Sequence, residues 1–309
     1  MVRRVPEASR PDARRAPGPG RAASARGRPP RGSAIVKKDY VAVTAADAAS
    51  DEAEFVERFW TRQWQERAAP TDTARLARTP KYRLIRPYLD ALPRGSAVLD
   101  GGCGLGLWTV FLTDQGLAVT GLDISQATIA RLKALLPGYD FVCGDVRHTG
   151  LPDAAFDAYF SWGTFEHFER GLGECIAEAW RVLKPGGLLM ITVPFQNLWH
   201  TLRDLRPLHR WDPSYDPRAG YARRHRFYQW RLTRPELERE LALHGFRVLR
   251  VVPVSKRGGV SAWLDAHARL FPRSTWRFKV ARRLLTALAP GAWLAHMLLA
   301  VARKAETPP

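Results

Sequence analysis

The sequence predicts an α/β fold in which helices cover both faces of a mostly parallel, doubly wound sheet. Between residues 97 and 193, short apolar runs alternate with segments of helical periodicity, and this alternation is typical of parallel sheets built from β-α units. A glycine-rich turn follows the first apolar run directly, at the place where such sheets bind ligands. The 309 residues suffice for one sizeable core with a small appendage.

Two helices are expected before the first strand. The first runs from Asp51 to Arg67 and the second from Thr73 to Leu92, where Pro93 ends it. The first helix carries four aromatic residues at helical spacing: Phe55, Phe59, Trp60 and Trp64. Residues 37–95 are therefore expected to form a helical cap on the domain that follows.

The alternating region itself predicts five strands and three helices. The strands are Ala97–Asp100, Ala118–Asp123, Tyr139–Cys143, Phe156–Ser161 and Leu188–Val193. The helices between them are Trp108–Gln115, Gln126–Leu136 and Gly173–Leu183. Residues 96–309 are expected to form the main domain.

The alternation of strands and helices stops at residues 195–231. This segment is aromatic and basic with little periodicity, so we expect an inserted lid there. The alternation resumes at Thr233 and Glu236, which have capping-box spacing for a helix to His244. A strand at Phe246–Val254, helical pieces near 261–271 and 275–288, and a last strand near Ala295–Arg303 complete the chain. Pro290 and Gly291 split the apolar stretch 284–301, which argues against a membrane span.

The net charge of +18 is unusual, and residues 1–36 hold nine arginines against two acids. This segment lacks an apolar region and is expected to be a disordered basic tail, not a signal peptide. Such charge attracts nucleic acid, anionic lipid or phosphorylated substrates, although arginine-favouring codon usage produces the same balance. The three cysteines have no metal-ligand spacing, which favours a reducing cytoplasm.

The turn after the first strand predicts a ligand site. Glycines at positions 102, 104 and 106 allow backbone to approach a ligand closely, but no third glycine or alanine completes a dinucleotide fingerprint. Asp100 would repel a pyrophosphate and suits a cationic amino group. Asp123 can accept hydrogen bonds from ribose hydroxyls, and Asp145 can accept one from an exocyclic amine. Helix capping by each acid is the competing interpretation.

These segments resemble the class I, Rossmann-like methyltransferases, which depend on S-adenosylmethionine. The resemblance rests on four segments in the family's order: 99–106, 156–161, 181–187 and 245–246. It implies a seven-stranded sheet whose last strand is antiparallel. It also implies that Asp100 and Gly102, Gly104 and Gly106 lie near the methionine portion, Asp123 on the ribose, Asp145 on the adenine and Ile124 against its ring. Val146 and Ser161 complete the expected cofactor contacts.

The loop after the fourth strand, residues 161–168, is expected to face the transferred methyl group. His167 is the candidate general base, because imidazole titrates near neutral pH, although Glu166 and His167 could instead simply order the loop. The loop lacks the motifs of DNA amino-methylating enzymes and the cysteine of carbon-methylating ones. Phe165-Glu166-His167 is shared with cyclopropane-forming lipid enzymes, but their upstream cysteine is missing. No metal is expected.

The lid, residues 195–231, mixes eight aromatic residues with eight arginines, which suits a flat or sugar-like acceptor bearing phosphate or carboxylate. The same mixture suits RNA, an anionic lipid interface, or a solvated basic surface. The sequence thus predicts O- or N-methylation of a small molecule, glycan or lipid-linked intermediate, with peripheral membrane contact open. An RNA methyltransferase and a non-catalytic S-adenosylmethionine-binding protein are the alternatives.

Overall fold

A computed structural model describes residues 37–67, 72–205, 215–216, 220–221 and 225–306. The strands are β1 (Lys37–Ala42), β2 (Ala97–Gly101), β3 (Ala118–Asp123), β4 (Asp140–Cys143), β5 (Phe156–Trp162), β6 (Leu183–Pro194), β7 (Tyr215–Asp216), β8 (Gly220–Tyr221), β9 (His225–Arg231), β10 (Phe246–Val254) and β11 (Met297–Lys304). The helices are α1 (Ala45–Ala49), α2 (Glu52–Gln65), α3 (Pro80–Leu89), α4 (Leu107–Asp114), α5 (Gln126–Leu135), α6 (Gly173–Val182), α7 (Leu198–Leu205), α8 (Arg234–Leu243), α9 (Lys256–Ala266), α10 (Trp276–Leu288) and α11 (Gly291–Leu294). The basic tail, residues 1–36, lies outside the described residues.

The main sheet has seven strands in the order β10-β11-β6-β5-β2-β3-β4. Strands β2 to β6 pair in parallel, whereas β11 pairs antiparallel with both β6 and β10. The prediction of a seven-stranded, mostly parallel sheet with an antiparallel last strand is therefore confirmed. Chain order reverses between β5 and β2, and the carboxyl ends of the strands on either side of such a reversal leave a crevice.

The strands are buried on both faces because alternate side chains enter two separate cores. Leu99 and Tyr159 point to the face covered by α6 and α8, while Val98 and Phe160 point to the face covered by α3 and α4. This two-sided burial explains why the strands appear in the sequence as continuous apolar runs.

The segment 73–92 is not one helix as expected. A 3-10 turn covers Ala74–Arg78, and α3 begins at Pro80. Proline disfavours helical geometry in the residue before it, and Thr79 is extended with ψ of 144°. Thr79 then serves as the N-cap, since its side chain accepts a hydrogen bond from the Tyr82 backbone N–H.

Residues 37–95 also contain a strand, which the expected helical cap lacked. Strand β1 pairs antiparallel with β9, so it joins the N-terminal segment to the end of the inserted segment 195–231. The two ends of that insertion meet, because the Leu232 N–H donates to the Pro194 carbonyl at 3.0 Å and the Gln196 N–H donates to the Leu232 carbonyl at 2.8 Å. The insertion therefore leaves and rejoins the fold at the carboxyl end of β6.

The capping box before α8 forms as expected: the Glu236 carboxylate accepts from the Thr233 backbone N–H at 2.8 Å. Helix α9 begins at Lys256, earlier than the sequence indicated, and Pro290 separates α10 from the short α11. No helix in the described part of the chain is both long and apolar enough to cross a bilayer.

Candidate functional site

A cavity of about 470 Å³ lies at the carboxyl ends of β2, β3, β4 and β5. It is lined by side chains and backbone from the strand ends, the turn after β2 and the loop after β5, together with residues before α3: Val56, Trp60, Trp64, Arg67, Arg75, Asp100, Gly102, Cys103, Gly104, Leu105, Leu107, Trp108, Asp123, Ile124, Gly144, Asp145, Val146, Trp162, Gly163, Thr164, His167 and Phe168. The cavity thus occupies the crevice that the reversal of strand order creates.

The turn after β2 presents backbone, and no side chain, to the cavity at Gly102 and Gly104. Both residues have positive φ, and neither has room for a Cβ atom. Gly102 has φ of +78°, and a Cβ there would meet Thr164 Oγ1 at 2.2 Å. Gly104 has φ of +53°, and a Cβ there would lie 2.9 Å from the Trp64 ring. The chain between β2 and α4 can therefore approach a ligand only with glycine at these positions.

Gly106 has a packing role that the sequence did not indicate. It is the N-cap of α4 with φ of +75°, it is not among the residues that line the cavity, and a Cβ there would meet the Phe141 ring at 2.8 Å. Its glycine allows α4 to pack closely on the sheet, and a contact of Gly106 with the cofactor stays a prediction.

Asp123 is buried at the end of β3 and organises the turn beside it. Its carboxylate accepts from the Gly104 backbone N–H at 2.9 Å and from the Ser125 backbone N–H at 3.0 Å. Burial raises the pKa of this carboxyl. Ser125, not Asp123, caps α5, which argues against the capping interpretation. Asp123 and the neighbouring Ile124 both line the cavity, where an aspartate can accept further hydrogen bonds.

Asp100, at the end of β2, is 2% exposed, and it accepts a hydrogen bond from Thr109 Oγ1 at 2.7 Å. Burial, with a smaller contribution from the nearby Asp123 carboxylate, raises the pKa of this carboxyl to about 7, whereas the Thr109 hydrogen bond and Lys81 oppose the rise. A buried carboxyl with so high a pKa favours a cation beside it. Asp100 is therefore suited to a ligand that carries an amino group.

Asp145 and Val146 lie at the turn after β4 and line the cavity, as expected. The Asp145 carboxylate is also held by a neighbour that the sequence reasoning missed: Arg147 Nη2 donates to Asp145 Oδ2 at 2.7 Å. Arg147 Nη1 donates in addition to Glu52 at 2.7 Å. An exocyclic amine at Asp145 would therefore share the carboxylate with a guanidinium.

Ser161 lies near the carboxyl end of β5. Its side chain is buried, its hydroxyl donates to the Gly101 carbonyl at 2.6 Å, and it is not among the residues that line the cavity. Side chains alternate along β5, so the next residue, Trp162, lies in the cavity wall. The Ser161 hydroxyl ties β5 to the end of β2, and a contact of Ser161 with the cofactor stays a prediction.

His167 lines the cavity and is nearly buried. Its Nδ1 lies 2.6 Å from the Tyr228 carbonyl, and since a carbonyl only accepts, Nδ1 carries the proton. Burial lowers the pKa of this imidazole to about 4. His167 is thus a neutral ring with its lone pair at Nε2, better suited to accept a hydrogen bond than to hold a full proton.

Two ionisable groups near the cavity, the half-buried Lys81 and the buried Glu166, have shifted pKa values that the sequence did not indicate. Lys81 lies over the Trp162 ring at 4.4 Å, and burial lowers the pKa of its ammonium to about 8. Glu166, which does not line the cavity, is 2% exposed, and burial raises the pKa of its carboxyl to about 8. Lys81 attracts both Glu166 and Asp100, so it is the cation that partly compensates the acids around the glycine turn.

Helix α2 covers the cavity, a role that the sequence did not reveal. Val56, Trp60 and Trp64 line it, and the two indole rings stack with centroids 5.3 Å apart. The helix is fastened by the Glu52–Arg147 ion pair and by a 2.7 Å hydrogen bond between the hydroxyls of Thr61 and Ser125.

None of the described residues of the expected lid, 195–231, lines the cavity. Instead, β9 supports the loop that does. The Tyr228 carbonyl binds His167, and the Trp230 indole N–H donates to the Phe168 carbonyl at 2.9 Å. Much of this segment, residues 206–214, 217–219 and 222–224, lies outside the described residues. Within the part of the chain that the structure describes, no cluster of three or more His, Cys, Asp or Glu residues is arranged to hold a metal.

Comparisons with known proteins define the class. Residues 99–191 match the family model described as a methyltransferase domain. A solved structure titled as a putative sarcosine dimethylglycine methyltransferase from Galdieria sulphuraria superimposes with a TM-score of 0.51 at 17% identity, covering 83% of this chain and 99% of that one. At this identity the likeness shows the fold alone.

Three curated relatives align over the same region. A probable S-adenosylmethionine-dependent methyltransferase of Mycolicibacterium smegmatis is 33% identical over 117 residues, which is 37% of this chain and 45% of that protein. The 2-methyl-6-phytyl-1,4-hydroquinone methyltransferase of Synechocystis is 34% identical over 148 residues, covering 43% of this chain and 46% of that protein. An S-adenosyl-L-methionine-dependent Diels-Alderase of Talaromyces variabilis is 36% identical over 105 residues, covering 31% and 36%.

Residues 99–191 therefore form a methyltransferase domain, and this region is similar to class I S-adenosylmethionine-dependent methyltransferases in sequence and in fold. The family resemblance drawn from the four sequence segments is confirmed. The alignments span less than half the length of each of these curated relatives, so the similarity concerns the domain and not the whole of those proteins.

Proposed function

We propose that this protein transfers a methyl group from S-adenosylmethionine to a small-molecule or lipid-linked acceptor. The observation that carries the proposal is the pair of buried acids, Asp100 and Asp123, on either side of a glycine turn that must remain free of side chains. Together they provide a cavity wall that is anionic and open to backbone contact. Such a wall suits a cationic ligand with ribose hydroxyls and no phosphate.

The residues present fit S-adenosylmethionine. Asp100 would accept from its amino group, Asp123 would accept from the ribose hydroxyls, and Ile124 and Val146 would pack against the adenine. Backbone at Gly102 and Gly104 would approach the methionine portion. When bound, the cofactor supplies an electrophilic methyl group on a sulfonium, so the protein's main task is to position the acceptor.

The acceptor side of the cavity is aromatic. Trp60, Trp108, Trp162 and Phe168 line it, and such walls favour flat or apolar acceptors. The relatives include a protein named for a phytyl hydroquinone substrate, which supports an apolar acceptor here. Arg67 and Arg75 also line the cavity and would suit an anionic group on the acceptor.

His167 would accept a hydrogen bond at Nε2 from an acceptor hydroxyl or amine. Its lowered pKa favours orientation of the nucleophile over full proton removal. We further propose a division into a tail (1–36), a cap (37–95) and the methyltransferase domain (96–309). A cytoplasmic location is supported by the free thiols of Cys103, Cys143 and Cys175.

The decisive experiment measures product and not binding alone, because one relative is named a Diels-Alderase that depends on the same cofactor. The full chain is incubated with methyl-labelled S-adenosylmethionine and a panel of prenylated hydroquinones, hydroxylated lipids and acyl thioesters. We expect S-adenosylhomocysteine and a labelled acceptor in stoichiometric amounts. Cofactor binding without transfer to any acceptor class would contradict the proposal.

The role of His167 is tested in the same assay with His167→Asn, and His148→Asn serves as the control because that histidine is exposed and outside the cavity. We expect the KM for the acceptor to rise and kcat to fall by less than about tenfold in the first variant, because His167 orients the nucleophile. A fall in kcat of about 10²-fold would show that His167 removes the proton of the acceptor. Unchanged kinetics in both variants would exclude His167 from the reaction.

A further inference from the structure

Helix α10 exposes an apolar row on the molecular surface. Trp276, Val280, Leu284 and Leu288 follow each other at intervals of four residues and are 70%, 45%, 53% and 79% exposed. Each such step turns the helix by about 40°, so the four side chains form one continuous stripe. Single exposed apolar residues are ordinary, but a contiguous stripe marks an interaction surface.

The fold itself does not need this stripe. Helix α10 already buries its other apolar face, where Phe278, Ala281 and Leu285 pack with Val260 and Leu264 of α9. The helix is therefore apolar on two faces, and only one of them is covered within the described residues.

The charges on α10 all have one sign. The helix carries Arg277, Lys279, Arg282 and Arg283 and no acidic residue. None of the four forms an ion pair with another described residue, whereas Arg273, just before the helix, is paired with Asp265. Basic residues beside an exposed apolar stripe that begins with tryptophan are typical of helices that lie in a membrane interface.

The segment that contains α10 leaves and re-enters the sheet at the edge where the cavity lies. Strand β10 runs parallel to β6, since both pair antiparallel with β11. The segment between β10 and β11, which contains α9, α10 and α11, therefore starts and ends at the carboxyl edge of the sheet. The cavity opens at the same edge.

We propose that the stripe of Trp276, Val280, Leu284 and Leu288 is a docking surface for an anionic lipid membrane. The apolar side chains enter the boundary between headgroups and acyl chains, and Arg277, Lys279 and Arg283 contact the lipid phosphates. Charge complementarity selects this occupant. A two-fold dimer through α10 would bring the same four cations of each copy together without an acid on the helix to pair with them.

The test is co-sedimentation of the full chain with vesicles of phosphatidylcholine alone and of phosphatidylcholine containing phosphatidylglycerol, at physiological ionic strength. We expect binding to the anionic vesicles. The double variant Leu284→Gln with Leu288→Gln should lower the partition coefficient by at least about tenfold. The matched control, Leu135→Gln with Leu243→Gln, removes two exposed leucines at the ends of other helices and should change it by less than about twofold.

A second pair of variants of equal net charge tests the basic residues. Arg277→Gln, Lys279→Gln and Arg283→Gln together should weaken binding more than tenfold, since each cation at an anionic surface contributes substantially. Arg83→Gln, Arg239→Gln and Arg247→Gln, all exposed elsewhere, should have a much smaller effect. Circular dichroism of each variant checks that it is folded.

Three results would overturn the proposal. The wild type could fail to bind anionic vesicles, or it could bind neutral vesicles equally well. Alternatively, the leucine variant could retain vesicle binding while sedimentation velocity shows that it converts a dimer into a monomer. In that last case the stripe is an interface between two copies of this chain. None of these readouts requires methyl transfer, so the membrane proposal and the proposed function can fail independently.

Discussion

The glycine turn and the helix above it, α2, form opposite walls of one cavity but are encoded in different ways. The turn is built from backbone geometry over a few residues, with Gly102 and Gly104 at positive φ and Asp123 bonded to the Gly104 N–H. Helix α2 comes from a segment about fifty residues earlier and is held by side chains, chiefly Glu52 on Arg147 and Thr61 on Ser125.

This difference implies different sensitivity to substitution. A turn that requires positive φ and excludes Cβ atoms has no conservative replacement. A helix held by several partly exposed contacts loses only a fraction of its attachment when one contact is removed. The following variants test this contrast, from the largest expected effect to the smallest.

Gly102→Ala should weaken cofactor binding more than any other variant in this series. The new Cβ would lie 2.2 Å from Thr164 Oγ1 at a φ of +78°, so both the turn and the loop after β5 must shift. Strain of about 2–3 kcal/mol in the bound geometry corresponds to a loss of roughly one hundredfold in affinity. Calorimetric titration with S-adenosylhomocysteine measures this loss.

Gly186→Ala is the matched control for that variant. Gly186 has a similar φ of +75°, but no atom lies within 4 Å of the position of its Cβ. It should lower the melting temperature modestly and leave affinity unchanged. Equal losses of affinity in both variants would mean that general strain, not crowding at the cavity, limits binding.

Asp123→Ala should weaken S-adenosylhomocysteine binding by about 1–3 kcal/mol, the value expected for loss of a charged hydrogen bond acceptor. Part of the loss comes from release of the Gly104 N–H, so the melting temperature of the free protein is measured as well. Asp140→Ala removes an acid of the neighbouring strand that binds Thr120 outside the cavity. Affinity that survives Asp123→Ala would exclude this carboxylate from the site.

Cofactor affinity should increase with pH in the window below about 7. The pKa of Asp100 in the folded protein, about 7, lies above its ordinary value of 3.8, so the free folded state holds a proton that the unfolded chain has lost. Its contribution to stability is complete below pH 3.8 and is lost as the pH rises through 7. A cationic ligand requires the ionised carboxylate, so the association constant should rise up to about tenfold per pH unit below pH 7.

Two variants test whether Asp100 causes this pH dependence of cofactor affinity. Asp100→Asn should bind more weakly and with a flat profile between pH 6 and 7.5. Glu166→Gln should keep the profile, because the pKa of Glu166 is also raised but its side chain lies outside the cavity lining. A flat profile in the wild type would show that Asp100 is already ionised before the ligand arrives.

Glu52→Gln should have the smallest effect, a few-fold weaker affinity, since a partly exposed ion pair contributes about 0.5–1 kcal/mol. The variant removes the link between α2 and Arg147 and should raise the dissociation rate of the cofactor, measured by stopped flow. Glu54→Gln is the control, because Glu54 lies on the same helix, does not line the cavity and forms its ion pair with Arg58 on the surface. Equal rates in the two variants would show that the attachment of α2 does not limit ligand release.

The sheet and most of the cavity wall could be predicted because parallel β-α units place the ends of successive strands at one edge. That rule brought Asp100, Asp123 and Asp145 together from positions 45 residues apart. The sequence did not show the local contacts of two other residues. The Ser161 hydroxyl bonds to the Gly101 carbonyl, and the absence of a side chain at Gly106 makes room for the Phe141 ring.

The covering wall could not be predicted for a related reason. The periodicity of α2 identifies a helix, but no local pattern states which residues distant in sequence it will contact. Trp60 and Trp64 could equally have packed in the core. The aromatic and basic composition of residues 195–231 led to the prediction that this segment lines the acceptor side of the site. None of its described residues lines the cavity, and β9 instead supports the loop that carries His167.

By itself, the sequence determined the class of fold, the edge of the sheet at which the cavity lies and the acids that line it, because these depend on short-range patterns repeated along the strands. The tertiary structure alone decided which helix covers the cavity, that Lys81 attracts both Asp100 and Glu166, and that the other described residues leave an apolar stripe of α10 exposed. The physical reason is that burial and charge compensation depend on neighbours in space. Those neighbours are fixed only when distant segments pack together.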